Sequence, residues 1–120
     1  MSISIYDTYC GSTNSGDAII MDAVNKQLDL VFPLKHKVSY PTHYSLGLKA
    51  VKKIRKSHLN FVGGSNLLNS RVCFRGKKNQ WAVGFLEANI LKNKSILLGC
   101  GWNNYQKPST TKTRMFYHKI

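Results

Sequence analysis

Short apolar runs that stop on glycine alternate along this chain with segments of helical period, and that alternation leaves few folds open. The first unit pairs the alternating Ile3, Ile5 and Tyr9 with a helix expected over 18–28, where Ile20, Val24 and Leu28 recur at i, i+4 and i+8. Asp17 stands where a carboxylate can accept from the first orphan N–H groups of that helix, so it reads as the N-cap. A second apolar run, 30–32, stops at Pro33. A loop with Pro41 leads to a second helix, expected over 45–56, with Leu46, Ala50, Val51 and Ile54 as its buried stripe and Lys49, Lys52, Lys53 and Lys56 on its other faces.

The pattern then repeats. Residues 59–62 form an apolar run ending on Gly63 and Gly64, and 81–92 reads as a helix with Trp81, Phe85 and Ala88 on one face. Residues 95–98 end on Gly99, and their three consecutive apolar side chains suit a strand buried on both faces. The final segment, 109–120, has the pattern of a helix with Met115, Phe116 and Ile120 on one side. Its stop on an apolar, uncapped residue reads as a fragment of a longer protein. A βα, βα, βα succession predicts the α/β class with a mostly parallel sheet. The 120 residues, 42% of them hydrophobic, suffice for a single domain spanning 1–120.

Charge narrows the partners without choosing one. The chain carries 18 Lys and Arg against 5 acidic residues, a formal +13, and a field of that sign favours anions: nucleic acid, a sugar phosphate or phosphoenolpyruvate. No recognition pattern for nucleic acid accompanies it, since the sequence lacks an RNP-type aromatic run, a KH-type GXXG loop and zinc-finger spacing. A basic nucleic-acid-binding module is nevertheless the leading alternative from another class. No run approaches the roughly 18 apolar residues of a membrane span, and the first nine residues lack the basic and apolar regions of a secretory signal. The expected location is the cytoplasm. The lysines of the second helix and the cluster Arg71, Arg75, Lys77 and Lys78 suit a solvated face or peripheral contact with a membrane surface.

Cys10, Cys73 and Cys100 are odd in number, widely spaced and without metal-ligand spacing, so reduced thiols and no metal site are expected. Of the histidines, His43, in the loop after Pro41, is the best placed to face a cleft, while His36, His58 and His118 lack supporting neighbours.

Three glycine loops carry the functional signal: Cys10-Gly11-Ser12-Thr13-Asn14-Ser15-Gly16-Asp17, Val62-Gly63-Gly64-Ser65-Asn66 and Leu98-Gly99-Cys100-Gly101-Trp102. In an open α/β sheet such loops gather at the carboxyl ends of the strands, where helix N-termini offer free donors. Gly11 to Gly16 has the spacing of a P-loop, but Asp17 and Ala18 replace its Lys and Ser or Thr, and Asp17 repels a triphosphate. Neither Gly63-Gly64 nor Gly99-x-Gly101 completes a dinucleotide fingerprint. No bound cofactor is expected.

The order Asn14-Ser15-Gly16-Asp17-Ala18-Ile19-Ile20, Phe61-Val62-Gly63-Gly64-Ser65-Asn66-Leu67-Leu68 and Ile96-Leu97-Leu98-Gly99-Cys100-Gly101-Trp102 resembles the polysaccharide pyruvyl transferase family over nearly the whole chain. The resemblance implies a Rossmann-like three-layer domain, the amino-terminal half of a two-domain, GT-B-like enzyme. Such an enzyme transfers the pyruvyl group of phosphoenolpyruvate to a sugar of an exopolysaccharide or cell-surface glycan as a ketal. It also implies that the groups gripping the anionic donor belong mainly to a carboxyl-terminal half, so this chain alone is expected to be inactive. A GT-B-like glycan transferase with another donor is the alternative that keeps the fold. Ketal formation needs an acid for the enol carbon, cations for the donor and a base for two sugar hydroxyls. Asp17 is the candidate base. Asn14, Gly16, Gly63, Gly64, Ser65, Asn66, Gly99 and Gly101 are the candidate substrate-binding residues, with Trp102 as a sugar-stacking or packing ring.

Overall fold

The computed structural model describes residues 1–65, 67–69, 88–92 and 94–103. Four parallel strands form its centre: β1 (Ser2–Asp7), β2 (His36–Pro41), β3 (Leu59–Gly63) and β5 (Ser95–Leu98). Their order is β2-β1-β3-β5, and a separate parallel pair, β4 (Leu68–Asn69) and β6 (Trp102–Asn103), continues from the ends of β3 and β5. The helices α1 (Ser15–Val31), α2 (Leu48–Lys56) and α3 (Ala88–Leu91) fall between strands. A parallel sheet with intervening helices is the expected α/β class, and its order is consistent with a Rossmann-like fold.

The two-residue period of the strands divides the core. Ile3 and Ile5 of β1 and Phe61 of β3 pack with Met21, Val24 and Leu28 of α1. Tyr6, Tyr40 and Val62 point the other way and pack with Ile54 of α2, Leu67 and Leu91 of α3. Helices therefore cover both faces of the sheet. Each of these faces is apolar because a strand flanked on both sides by helices has no solvent side.

One polar row interrupts the second core. Ser4 and Asn60 are paired in register, both are buried, and the Ser4 and Ser57 hydroxyls share a hydrogen bond of 2.5 Å. Neither amide atom of Asn60 has a hydrogen-bond partner among the described residues.

Several boundaries differ from the sequence reading. The run 30–32 is not a second strand. Leu30 and Val31 prolong α1, the Phe32 N–H closes on the Leu28 carbonyl at 2.9 Å, and Pro33 follows the end. The second strand is instead the polar His36–Pro41, registered along β1 from Ser2↔His36 to Asp7↔Pro41. It ends the order of the described sheet, and such an edge position tolerates Lys37 and a terminal proline. The N-cap of α1 is Asn14 rather than Asp17: its side chain accepts from the Gly16 N–H at 3.0 Å, and Asp17 falls in the first turn.

The second helix begins at Leu48, because Gly47 is extended (ψ 160°) and its carbonyl accepts the first helical bond from the Val51 N–H. Of its expected stripe, Ile54 is fully buried and Leu46 and Ala50 pack against the same core from partly buried positions. β5 matches residues 95–98 but is not buried on both faces: Ile96 and Leu97 are each 44% exposed, since β5 terminates the order of the described sheet. Of the helix expected over 81–92 only 88–92 lies among the described residues, helical over Ala88–Leu91, and 109–120 lies outside them.

Candidate functional site

The strand order reverses at β1, with the chain moving to β2 on one side and to β3 on the other. The crevice at such a switch point, beyond the carboxyl ends of the strands, is where open α/β sheets hold ligands. The loops after β1 and β3 flank it here.

The β1–α1 loop is built from its own polar side chains. Asp7 Oδ1 accepts from the Tyr9 and Cys10 N–H groups at 2.8 and 3.1 Å, which turns the chain off the strand. Ser12 Oγ accepts from the Asn14 N–H at 3.1 Å and donates to Asp17 Oδ2 at 2.8 Å. Asp17 is only 6% exposed, so its carboxylate lies at the foot of the loop in the first turn of α1, where the helix dipole favours a negative charge. Tyr44, from the loop after β2, covers Gly11 closely enough that a Cβ there would meet its ring at 2.8 Å.

The Gly63-Gly64 pair lets α1 approach. A Cβ on Gly63 would stand 2.9 Å from Met21 Sδ, and one on Gly64 would overlap Ile20 Cγ2. Gly64 also has φ +70°, a backbone that L side chains rarely adopt. Space over these two residues is filled by the helix, so their glycine character is explained by packing. The Thr8 hydroxyl lies beside them, 3.6 Å from the same Cβ position.

Two backbone bonds tie the second loop to the third: the Gly64 N–H donates to the Leu98 carbonyl and the Gly101 N–H to the Ser65 carbonyl, both at 2.9 Å. The parallel pairing Leu68↔Trp102 and Asn69↔Asn103 extends this seam. Gly99, at φ +70°, has nothing within 4 Å of its Cβ position among the described residues.

The structure thus brings Asn14, Gly16, Asp17, Gly63, Gly64, Ser65, Gly99 and Gly101 to one edge of the sheet. Trp102 contributes a backbone position in β6 beside them. Asn66, Cys73, His118 and the cluster Arg71, Arg75, Lys77 and Lys78 lie outside the described residues. His43 is exposed in the loop that leaves β2 at this edge, whereas the His58 Nδ1 accepts from the Ser2 N–H at the opposite one.

Two groups at the carboxyl edge escaped the sequence reading. Thr8 and Thr42 follow the paired ends of β1 and β2, are buried, and have hydroxyls without a hydrogen-bond partner among the described residues. A buried hydroxyl without a partner carries a desolvation cost and is a donor and acceptor in waiting. The signal available in the sequence was a hydroxyl residue directly after each strand, which is too common to single out.

Cys100 does not have the character of a nucleophile. Burial pushes its thiol up to about 11, against the lowering effect of a backbone hydrogen bond at Leu98, and Sγ is 3.2 Å from the Val62 carbonyl. Among the described residues no group of three or more His, Cys, Asp or Glu is placed to share a metal ion, and no helix is long and apolar enough to cross a membrane.

Comparison of the chain with protein-family models, with curated proteins and with solved structures gives no match. What the site defines is therefore a class: an α/β domain with a carboxylate, small residues and hydroxyls gathered at a topological switch point.

Proposed function

We propose that this chain is the sugar-side, Rossmann-like domain of a GT-B-like transferase of the polysaccharide pyruvyl transferase kind. The observation that carries the reading is the seam between the loops after β3 and β5, Gly64 to Leu98 and Gly101 to Ser65, next to the Asp17 loop. It gathers on one edge the three segments whose order resembles that family.

The surroundings suit a polyhydroxyl ligand better than a nucleotide. A carboxylate under a small-residue loop accepts from alcohols and repels a triphosphate. In this reading Asp17 takes the proton of an attacking sugar hydroxyl, with Ser12 as its fixed neighbour. Two alcohol oxygens of the sugar bond to C2 of phosphoenolpyruvate, the C–O bond to phosphate breaks, and one hydroxyl proton ends on the former enol methylene while the other leaves with phosphate. The donor's charges are gripped by a second half of the enzyme.

The test is acceptor-dependent phosphate release from phosphoenolpyruvate by the full protein encoded by this gene, with a mixture of cell-surface oligosaccharides. Release that falls by about 10²-fold or more in Asp17→Asn, with an unchanged circular dichroism spectrum, is the expected result. No acceptor-dependent release overturns the pyruvyl reading, and full activity in Asp17→Asn overturns the assigned base.

A further inference from the structure

The opposite edge of the sheet, where the strands begin, carries features that a sugar site leaves unused. Leu34 is fully exposed and holds φ +60° in the turn between α1 and β2, and Leu30 and Val31, just before it, are 75% and 65% exposed. A leucine in the left-handed region, projecting entirely into solvent, is unfavourable both in backbone conformation and in hydration. Asn, Asp or Gly is the ordinary occupant of such a turn.

Basic groups stand along the same edge. Lys35 follows Leu34 directly and is exposed, and His36 pairs in register with Ser2 of β1. The His58 N–H donates to the Ser2 carbonyl at 3.0 Å, which brings the end of α2 with exposed Lys56 to the same edge. Lys94 joins them: its Nζ donates to the Arg55 and Ser57 carbonyls at 3.2 and 3.5 Å. Among the described residues the acid at this edge is Asp29, and it is engaged by Lys37. The edge therefore carries an apolar tip before β2 and exposed lysines before β2, β3 and β5.

We propose that this edge docks on an anionic lipid bilayer, with Leu34 inserted at the headgroup level and Lys35, Lys56 and Lys94 against lipid phosphates and carboxylates. Charge complementarity calls for an anionic partner, and the apolar tip distinguishes a bilayer from a nucleic acid, whose phosphate backbone offers aliphatic side chains nothing. An unpaired strand would be gripped by aromatic faces, but Phe32 beside the tip is turned inward against Phe61, ring centroids 5.7 Å apart. Docking here leaves the crevice at the other edge facing away from the lipid. The inference is independent of which reaction the crevice performs.

Co-sedimentation of the full protein with phosphatidylcholine vesicles, with and without about 30% phosphatidylserine, tests it. Binding is expected only to the anionic vesicles and to fade with added salt. Leu34→Gly is expected to weaken it about tenfold or more while leaving the melting temperature equal or higher, because glycine relieves the positive φ. A residue with only a structural role cannot give that combination. Lys35→Glu is expected to weaken binding roughly tenfold as well. Equal binding to neutral vesicles, no vesicle binding, or wild-type affinity in Leu34→Gly overturns the proposal. So does retention of duplex DNA, unaffected by Leu34→Gly, in place of vesicle binding.

Discussion

Ser12 Oγ donates to Asp17 Oδ2 at 2.8 Å, joining the middle of the β1–α1 loop to the first turn of the helix it precedes. Because Asp17 is largely buried, this bond stands in for part of the hydration its carboxylate loses on folding. Removing the hydroxyl in Ser12→Ala leaves that oxygen short of a donor, with an expected loss of about 1–3 kcal/mol in urea unfolding. Asp17→Asn in the Ser12→Ala background should cost less than in the wild type. Additivity of the two changes would mean the bond contributes nothing.

Ile20 of α1 occupies the space where a side chain on Gly64 would stand. Gly64→Ala adds a methyl that overlaps Ile20 Cγ2 and forces a side chain onto φ +70°, for a loss of about 2–4 kcal/mol. Gly99→Ala meets the same φ with nothing within 4 Å, so about 1–2 kcal/mol, the backbone share alone, is expected. Ile20→Ala should recover part of the Gly64→Ala loss in a double-mutant cycle. Equal losses at Gly64 and Gly99 would remove packing from the explanation.

Asn60 holds both amide atoms in the second core without a partner. Asn60→Leu, nearly isosteric, relieves that desolvation and is expected to be neutral or to raise stability by roughly 1 kcal/mol. A clear fall in the urea midpoint would show that the amide is satisfied in solution by ordered water.

Cys100, with its thiol raised to about 11, has roughly one part in a thousand as thiolate at pH 8. Its iodoacetamide alkylation, followed by peptide mass spectrometry, should be slow there and rise about tenfold per pH unit well past pH 9, where an ordinary thiol has levelled off. A plateau near pH 9 would contradict the burial that raises it.

The elements that sequence made legible are those whose burial dictates their composition. Ile3 and Ile5, the Ile20-Val24-Leu28 spacing of α1 and Phe61 read correctly because they share one core, and Val62 because it is buried in the core on the other face of the sheet. β2 did not read, since an edge strand with Lys37 and a terminal Pro41 looks like loop, while the helical Leu30 and Val31 looked like strand. The glycine loops were visible and share one edge, but what fills the space over each was not. Only tertiary packing reveals that α1 occupies Gly63 and Gly64 and leaves Gly99 open. The hydroxyls of Thr8 and Thr42 have only the common signature of a hydroxyl residue after a strand, and the left-handed Leu34 has none.

β1, first in the chain, lies between β2 and β3, with every rung of both pairings parallel. On a ribosome it emerges before either neighbour, and its second flank stays bare until residues 59–63 have been synthesised. Until then Ile3 and Ile5 have α1 to shelter them but no completed sheet beneath it. Translation through the lysine-rich α2 is therefore the interval in which the nascent chain is most open to mispairing and to capture by chaperones.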